Sequence, residues 1–437
     1  MTIETRVNVE APLTLTDSPP RTLGTWAQTA LWASLGVTLF GPITGALVAL
    51  TAGSQSEGLL ACLVGTLIGA AMLGASAAIG ARLGTPAMVG LRGLLGYRAS
   101  MLPTVFNIAQ NIGWAMMEII VISTVVAQLA GPGWRWPAVM ASGVVVTVMA
   151  VRPLGSVKLL RTVMLWLVLA GSLALFWLVL SLPEHRLDQS GVLGFWPAVD
   201  LAVAQVISFG PLAADYSRHS TSVKGSFWSA FGGYGMAILA YYALGVLAVT
   251  HLVGDLSGVN LITALMALPV GLVAIALLAF DELDDAFADV YSATVSVHNI
   301  APKLDRRWVS VGVGLTATVL AGFVGFDAYQ GFLFLIGSAF VPLVAVAIVD
   351  FFLVRRGRWD VSASASFRWA PALAWLLGFI TYQLTYPGTV PGWAGLWVSV
   401  AEWLGVSAPS WFGATLGSVA VSAVAAALLG ARPGGRQ

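Results

Sequence analysis

Charge is scarce in this chain. Only 9% of its 437 residues are Asp, Glu, Lys or Arg, against 58% hydrophobic residues. The charged, patch-free surface of a soluble domain cannot be assembled from so little charge, and a mean hydropathy of +0.87 points the same way. A single cysteine, Cys62, excludes an internal disulfide and any multi-cysteine metal site. Four histidines, His185, His219, His251 and His298, are scattered near expected loops or span ends; solvated positions are their default, and they make no metal site. Basic residues are spread over short segments rather than gathered in one patch, so nucleic acid is not an expected partner, and no obligate protein partner is implied. The first 24 residues, with Glu4, Glu10 and Asp17, lack a signal-peptide pattern and read as a flexible cytoplasmic leader.

What the chain does have is repeated apolar runs of about 20 residues, separated by Arg- or Pro-bearing joints, the pattern of a polytopic α-helical membrane protein. Twelve spans are expected, near 25–50, 57–81, 100–130, 136–152, 159–182, 196–216, 226–251, 264–299, 309–325, 328–354, 369–388 and 411–430. An even count puts both termini on one side, and positive charge marks that side as the cytoplasm. From Arg6 and Arg21, through Arg152, Lys158 and Arg161, to Arg432 and Arg436, 19 of the 21 basic residues fall there, leaving Arg135 and Arg186 outside. Miscounting by one span would scramble that asymmetry. The expected location is the inner membrane of a bacterial-type cell, with the lipid bilayer as a partner.

Phe40-Gly41-Pro42 interrupts the first span and Phe209-Gly210-Pro211 the sixth. A mid-span Gly-Pro pair removes backbone hydrogen bonds that lipid cannot replace, so it is tolerated where protein or a wet cavity satisfies the freed groups. Two such breaks, five spans apart, suggest a five-plus-five repeat: 25–182, then 196–354 with inverted topology because five is odd, then two additional helices over 369–430. Matching interruptions point to a transporter's central site; a pair of unrelated proline kinks is the plainer alternative. Unwound carbonyls near Gly36 and Leu39 can coordinate a cation, while Phe40, with Ser208 and Phe209 at the matching place, could enclose a flat ligand; packing is the alternative there. Trp393, Trp397, Trp403 and Trp411 read as interfacial anchors around the last two spans.

Five of the 20 carboxylates lie within residues 281–289, inside an apolar stretch. Asp281, Asp284, Asp285 and Asp289 follow a spacing of i, i+3, i+4 and i+8, along one helix face. Like charges that close must protonate in part, bind a cation or meet a cationic ligand. A solvated loop is the alternative, but it would leave the flanking apolar pieces short for separate crossings. In span three, Gln110, Trp114 and Glu118 share a face at i, i+4 and i+8, with Asn111 beside them. An amide next to an indole suits a planar heteroaromatic ring, which stacks while the amide pairs with its nitrogen edge. Packing of Trp114 between helices is the competing reading, and Glu118 fits a structural or gating role as well as ligand contact.

The chain resembles the nucleobase:cation symporter family that contains the purine and cytosine permeases. The likeness rests on Asn111-Ile112-Gly113-Trp114, on Ser208-Phe209-Gly210-Pro211 followed by Ala214-Asp215-Tyr216-Ser217-Arg218, and on Tyr291-Ser292, and it covers roughly residues 20–430. The acidic run is most similar to the hydroxymethylpyrimidine transporter branch, associated with thiamine salvage. The resemblance implies an all-α integral membrane protein with a LeuT-like five-plus-five inverted repeat and two extra C-terminal helices, working by alternating access. It implies that Trp114 stacks on the ring, that Asn111 with Gln110 hydrogen-bonds it, and that Ser208 and Phe209 close the opposite face. Family members that use sodium draw ligands from span-one carbonyls, here Gly36 and Leu39, and from Ser, Thr or Asn of span eight. Those span-eight positions fall on Asp281, Asp284 and Asp285 here. Carboxylates there could bind sodium more strongly, carry a proton, or pair with a protonated aminopyrimidine.

The expected function is therefore a secondary active importer of a small pyrimidine, hydroxymethylpyrimidine foremost, with sodium or a proton as coupling ion and no other cofactor. A cytosine, purine or hydantoin-like carrier on the same fold is the nearest rival. Asp284-Asp285 with Asp289 superficially resembles the magnesium-binding acids of membrane prenyltransferases, but a second acidic motif and basic groups for a pyrophosphate are not visible at depth. An ion channel is disfavoured by the paired breaks and the single acidic cluster.

Overall fold

The computed structural model describes residues 20–151, 158–187, 192–252, 259–409 and 412–430, without the side chains of 158–165 and Val259. The leader acids Glu4, Glu10 and Asp17, together with Arg6, Arg152, Trp411, Arg432 and Arg436, lie outside the described residues, as do the side chains of Lys158 and Arg161. Among the described residues every regular element is helical. The first block runs α1 (Thr25–Leu35), α2 (Phe40–Ala52), α3 (Gln55–Leu83), the short α4 (Ala87–Gly90) and α5 (Arg92–Leu95), α6 (Met101–Ala130), α7 (Arg135–Val151) and α8 (Lys158–Leu180). The second runs α9 (Phe195–Ile207), a 3-10 turn at Gly210–Leu212, α10 (Ala213–Ser217), α11 (Val223–Trp228), a π-helical turn at Ser229–Tyr234, α12 (Gly235–His251), α13 (Val259–Met266), α14 (Gly271–Ile300), α15 (Arg306–Phe323) and α16 (Tyr329–Ile348). Three helices follow: α17 (Trp369–Thr385), α18 (Trp393–Leu404) and α19 (Ala414–Gly430).

Among the described residues, six stretches are long and apolar enough to cross a bilayer: Gln55–Leu83, Met101–Ala130, Pro132–Val151, Phe195–Ser217, Val223–His251 and Phe326–Val354. The pair α1 and α2 makes a seventh if the two count as one bent span. Helices also occupy the intervals of expected spans five, eight, nine, eleven and twelve, shorter or more polar than these. One helix was not anticipated. α18 carries Trp393, Trp397 and Trp403 between the last two expected spans; the first two pack on Phe379, and Trp403 is 84% exposed.

Small residues let the central helices touch backbone to backbone. A Cβ on Gly45 of α2 would overlap the Tyr242 backbone of α12, and one on Gly245 of α12 would overlap the Pro42 carbonyl. Such contact replaces the hydrophobic drive that helices lack in lipid. A polar seam joins α6 to α14: the Asn107 amide donates to Ser296 Oγ (2.9 Å), and the Asn299 amide donates to Thr104 Oγ1 (2.9 Å). These side chains are fully buried, where polar groups must find partners within the protein.

Candidate substrate and cation site

The first break lies one turn before the position read from sequence. α1 stops at Leu35 and α2 starts at Phe40, with a 62° bend between them, so residues 36–39 form the gap and Gly41-Pro42 sit inside α2. The reason is local. A proline in the first helical turn lacks only an N–H that would be orphaned anyway. The other orphaned donors at the start of α2 are met by an unexpected residue, Glu282 of α14. Its Oε1 accepts from the Leu39 N–H (2.6 Å) and from the Thr38 hydroxyl (2.8 Å), and Thr38 Oγ1 in turn accepts from the Phe40 N–H (3.2 Å). A carboxylate at a helix N-terminus also opposes the positive end of the helix dipole.

The sixth interruption is milder than expected. The chain passes from α9 through Ser208 and Phe209 into the 3-10 turn and α10, and Phe195–Ser217 remains one apolar run rather than a sharply bent pair. The Ser208 carbonyl accepts from Gln110 Nε2 (3.0 Å), which also donates to Asn107 Oδ1 (2.8 Å). Gln110 therefore ties span three to this interruption. Ser208 Oγ donates to the Gln205 carbonyl, and Phe209 packs on Tyr234 at 5.0 Å between centroids.

Trp114 sits above Gln110 on the same face of α6, 7% exposed, in an aromatic cluster. Phe40 of α2 meets it edge-on at 5.4 Å, Phe332 at 5.4 Å and Tyr329 at 6.0 Å. Phe332 also lines a cavity of about 460 Å³ walled by Phe106, Gln110, Gly113 and Phe340. Gln110 Oε1, Asn111 Oδ1 and Trp114 Nε1 are buried here without a hydrogen-bond partner among the described residues. Asn111 spends its amide nitrogen on the Asn107 carbonyl of its own helix (2.7 Å). Gly36 packs against α12, where a Cβ would sit 2.8 Å from that of Ala237, and Leu39 is buried.

The acids do not line up as the i, i+3, i+4 and i+8 face suggested. Glu282 (1% exposed) and Asp289 (6% exposed) are buried, whereas Asp281, Asp284 and Asp285 are half-buried. Packing of α14 against α6 decides this, because 282, 285 and 289 also share a helix face and that is the face turned inward. On it, one carboxylate oxygen each from Glu118, Glu282 and Asp285 lies within 4.8 Å of the others. The Glu118 and Asp289 carboxyl groups come within reach of one another across α6 and α14. Glu282 was therefore missed by the sequence reading, although its spacing to Asp285 and Asp289 was the available signal.

Other polar residues named from the sequence find partners inside the protein. Asp215, within Ala214-Asp215-Tyr216-Ser217-Arg218, accepts from the Ala87 N–H (2.8 Å) at the start of α4. Arg218 and Arg92, two of the basic residues assigned to the cytoplasmic side, are both buried; Arg92 donates to Asn299 Oδ1 (2.8 Å). His251 is buried rather than solvated, with Nδ1 2.9 Å from the Leu247 carbonyl.

Residues 18–378 match the family described as a permease for cytosine/purines, uracil, thiamine and allantoin. YxlA of Bacillus subtilis (strain 168), named as a purine-cytosine permease, is 24% identical over 330 residues, 69% of this chain and 70% of that protein. The cytosine permease of Escherichia coli (strain K12) is 26% identical over 352 residues, 77% of this chain and 80% of the other. Among solved structures, Mhp1, a nucleobase-cation-symport-1 family transporter in a closed conformation with bromovinylhydantoin bound, superposes with a TM-score of 0.66 at 16% identity, covering 94% of this chain and 100% of that one. A manganese transporter of Eremococcus coleocola follows with a TM-score of 0.54 at 14% identity, covering 96% and 100%. The shared architecture is the all-helical LeuT-like transporter fold.

Proposed function

The chain belongs to the family of permeases for cytosine/purines, uracil, thiamine and allantoin, and from that premise we propose that it imports a small aminopyrimidine, hydroxymethylpyrimidine foremost, by cation-coupled alternating access. Family and fold are those of membrane transporters, which removes the prenyltransferase-like alternative. The observation that carries the substrate class is the set of orphaned atoms beside Trp114: two amide oxygens, Gln110 Oε1 and Asn111 Oδ1, and one indole N–H. Buried polar atoms are seldom left unpaired without a reason. An aminopyrimidine supplies the complement, an exocyclic amino group for the oxygens and a ring nitrogen for the indole, on a flat body that in this reading is faced by Trp114, with Phe40 and Phe209 as the other aromatic groups of the site. In this reading Ser208 holds Gln110 in place through its carbonyl, and Phe40 on α2 moves with the broken first helix.

The coupling ion is sodium or a proton, and the acids of α14 with Glu118 answer to it. Twelve crossings with both termini cytoplasmic complete the proposal. A cytosine or purine carrier is the second reading, favoured by the cytosine permease of Escherichia coli among the relatives. Uptake of labelled hydroxymethylpyrimidine and cytosine into proteoliposomes, under separate sodium and proton gradients, distinguishes them. Preferential accumulation of hydroxymethylpyrimidine is the expected result; accumulation of cytosine alone establishes the second reading, and uptake of neither discards both.

A further inference from the structure

We infer that the arginine-lined cavity between α5 and the segment joining α16 to α17 binds a phosphate group, presented by an anionic phospholipid. The cavity measures about 140 Å³ and is walled by Arg92 and Gly93 of α5 and by Arg355, Arg358, Asp360 and Arg368. Four guanidinium groups share it with one carboxylate in the wall, Asp360, and a second, Asp350, paired with Arg368. Two positive charges are left over. The bias of charge across a membrane asks only that basic residues lie on one side, not that they converge on one hollow.

Three of the four arginines have donors to spare. The side chains of Arg355 and Arg358 make no hydrogen bond or ion pair among the described residues. Arg92 is 7% exposed and spends Nε and Nη2 on Asn299 (2.8 and 3.4 Å), with its guanidinium 4.8 Å from the Tyr97 ring centre. Its Nη1 has no hydrogen-bond partner among the described residues. A buried guanidinium that lines a cavity with a donor unpaired is a second and independent sign of an anion. Arg368 is the exception, since Asp350 and the Gly93 carbonyl take its donors.

The backbone that carries these side chains is held on both walls. The Arg355 N–H donates to the Asp350 carbonyl and the Gly357 N–H to the Phe351 carbonyl (2.7 Å each), which closes a tight reversal with Arg356 and Gly357 at φ of 52° and 79°. Across the cavity the Tyr97 N–H donates to the Ala365 carbonyl (3.0 Å) and the Arg368 N–H to the Leu95 carbonyl (3.1 Å). Guanidinium groups on a fixed frame lose less freedom on binding, and their forks match phosphate oxygens two at a time. Leu353, Phe367 and Trp369 neighbour the cavity residues in sequence and are 67%, 63% and 52% exposed. Apolar and aromatic side chains beside a basic pocket suit a lipid, whose acyl chains need an apolar neighbour that free phosphate does not.

The test melts purified full-length protein in detergent micelles with increasing dioleoylphosphatidylglycerol, dioleoylphosphatidylcholine or inorganic phosphate. Phosphatidylglycerol should raise the melting temperature saturably, and the other two should not. Arg355→Gln combined with Arg358→Gln should raise the half-saturating concentration about tenfold or more, because charge-assisted hydrogen bonds are lost. Lys224→Gln combined with Arg307→Gln removes the same charge from exposed positions elsewhere and should leave it unchanged. Neither Arg355 nor Arg358 has a side-chain partner to lose, so without lipid their double variant should melt like the unmodified protein. Ser366→Glu brings a carboxylate into the same wall and should abolish the lipid effect with all four arginines in place. No stabilisation by either phosphatidylglycerol or inorganic phosphate overturns the site, as does stabilisation that survives the arginine double variant and Ser366→Glu. An equal effect of phosphatidylcholine, or an effect of inorganic phosphate alone, overturns the anionic lipid as the carrier.

Discussion

Single side chains here do two jobs, holding helices and presenting unpaired atoms. Trp114 packs on Phe40, Phe332 and Tyr329 while its indole N–H stays unmatched. Trp114→Ala is expected to weaken pyrimidine binding by about 1–3 kcal/mol, the range for base–aromatic stacking; competition against labelled uptake measures it, and unchanged affinity would remove Trp114 from the site. Glu282 can be tested apart from any ion. Glu282→Ala leaves the Leu39 N–H and the Thr38 hydroxyl without their acceptor, at a cost of about 1–3 kcal/mol, whereas Glu282→Gln retains an oxygen there and should lose much less. Thermal unfolding in detergent compares the two, and equal losses would show that the cap contributes little.

At the scale of elements, carboxylates from one helix repeatedly close the start of another. Glu282 does so for α2, Asp215 for α4, and Asp200 of α9 accepts from the Ala414 and Thr415 N–H groups at the start of α19 (2.8 and 2.9 Å). Lipid offers nothing to an exposed helix end, so each cap must come from within the protein. Close backbone approach is the other device. Gly45→Val places a branched side chain against the Tyr242 backbone, which cannot yield as a side chain tip would. Overpacking of this kind typically costs about 1–3 kcal/mol. The melting temperature of Gly45→Val should fall clearly below that of a lipid-facing control such as Leu63→Val; parity between them would show that α2 and α12 can separate cheaply.

For the whole molecule, the segment between α16 and α17 is pinned rather than loose. Arg368 forms a two-pronged ion pair with Asp350 (2.6 and 2.8 Å) and donates to the Gly93 carbonyl (2.6 Å), while Trp359 Nε1 donates to Asp350 (2.7 Å). Arg368→Gln leaves a nearly buried carboxylate short of its cation, and a loss of about 3 kcal/mol is expected, since removing one partner of a buried pair is the costly case. Chemical denaturation reads it, and a loss below about 1 kcal/mol would class the pair with ordinary surface ion pairs.

Hydropathy, the paired Gly-Pro motifs and the acidic run were enough to determine a helical membrane transporter with interruptions in its first and sixth spans. These signals are local, because each helix in a bilayer must satisfy its own backbone and show its apolar character within one stretch of chain. Trp114, Gln110 and Asn111 stood out as candidates for the same reason: polar and aromatic groups in mid-span differ from their neighbours. Which acid faces inward was not legible. Residues 281 to 289 offer two helix faces of similar composition, and only the docking of α14 on α6 and against the start of α2 turned Glu282 toward the Leu39 N–H. The position of the first break was likewise settled by a partner some 240 positions away in the chain, since Glu282 supplies the acceptor that lets α2 begin at Phe40. Local composition determined the helices and the class of protein, and only tertiary contact decided which carboxylates meet, because charge in a dry interior is placed by what it can pair with rather than by its spacing in sequence.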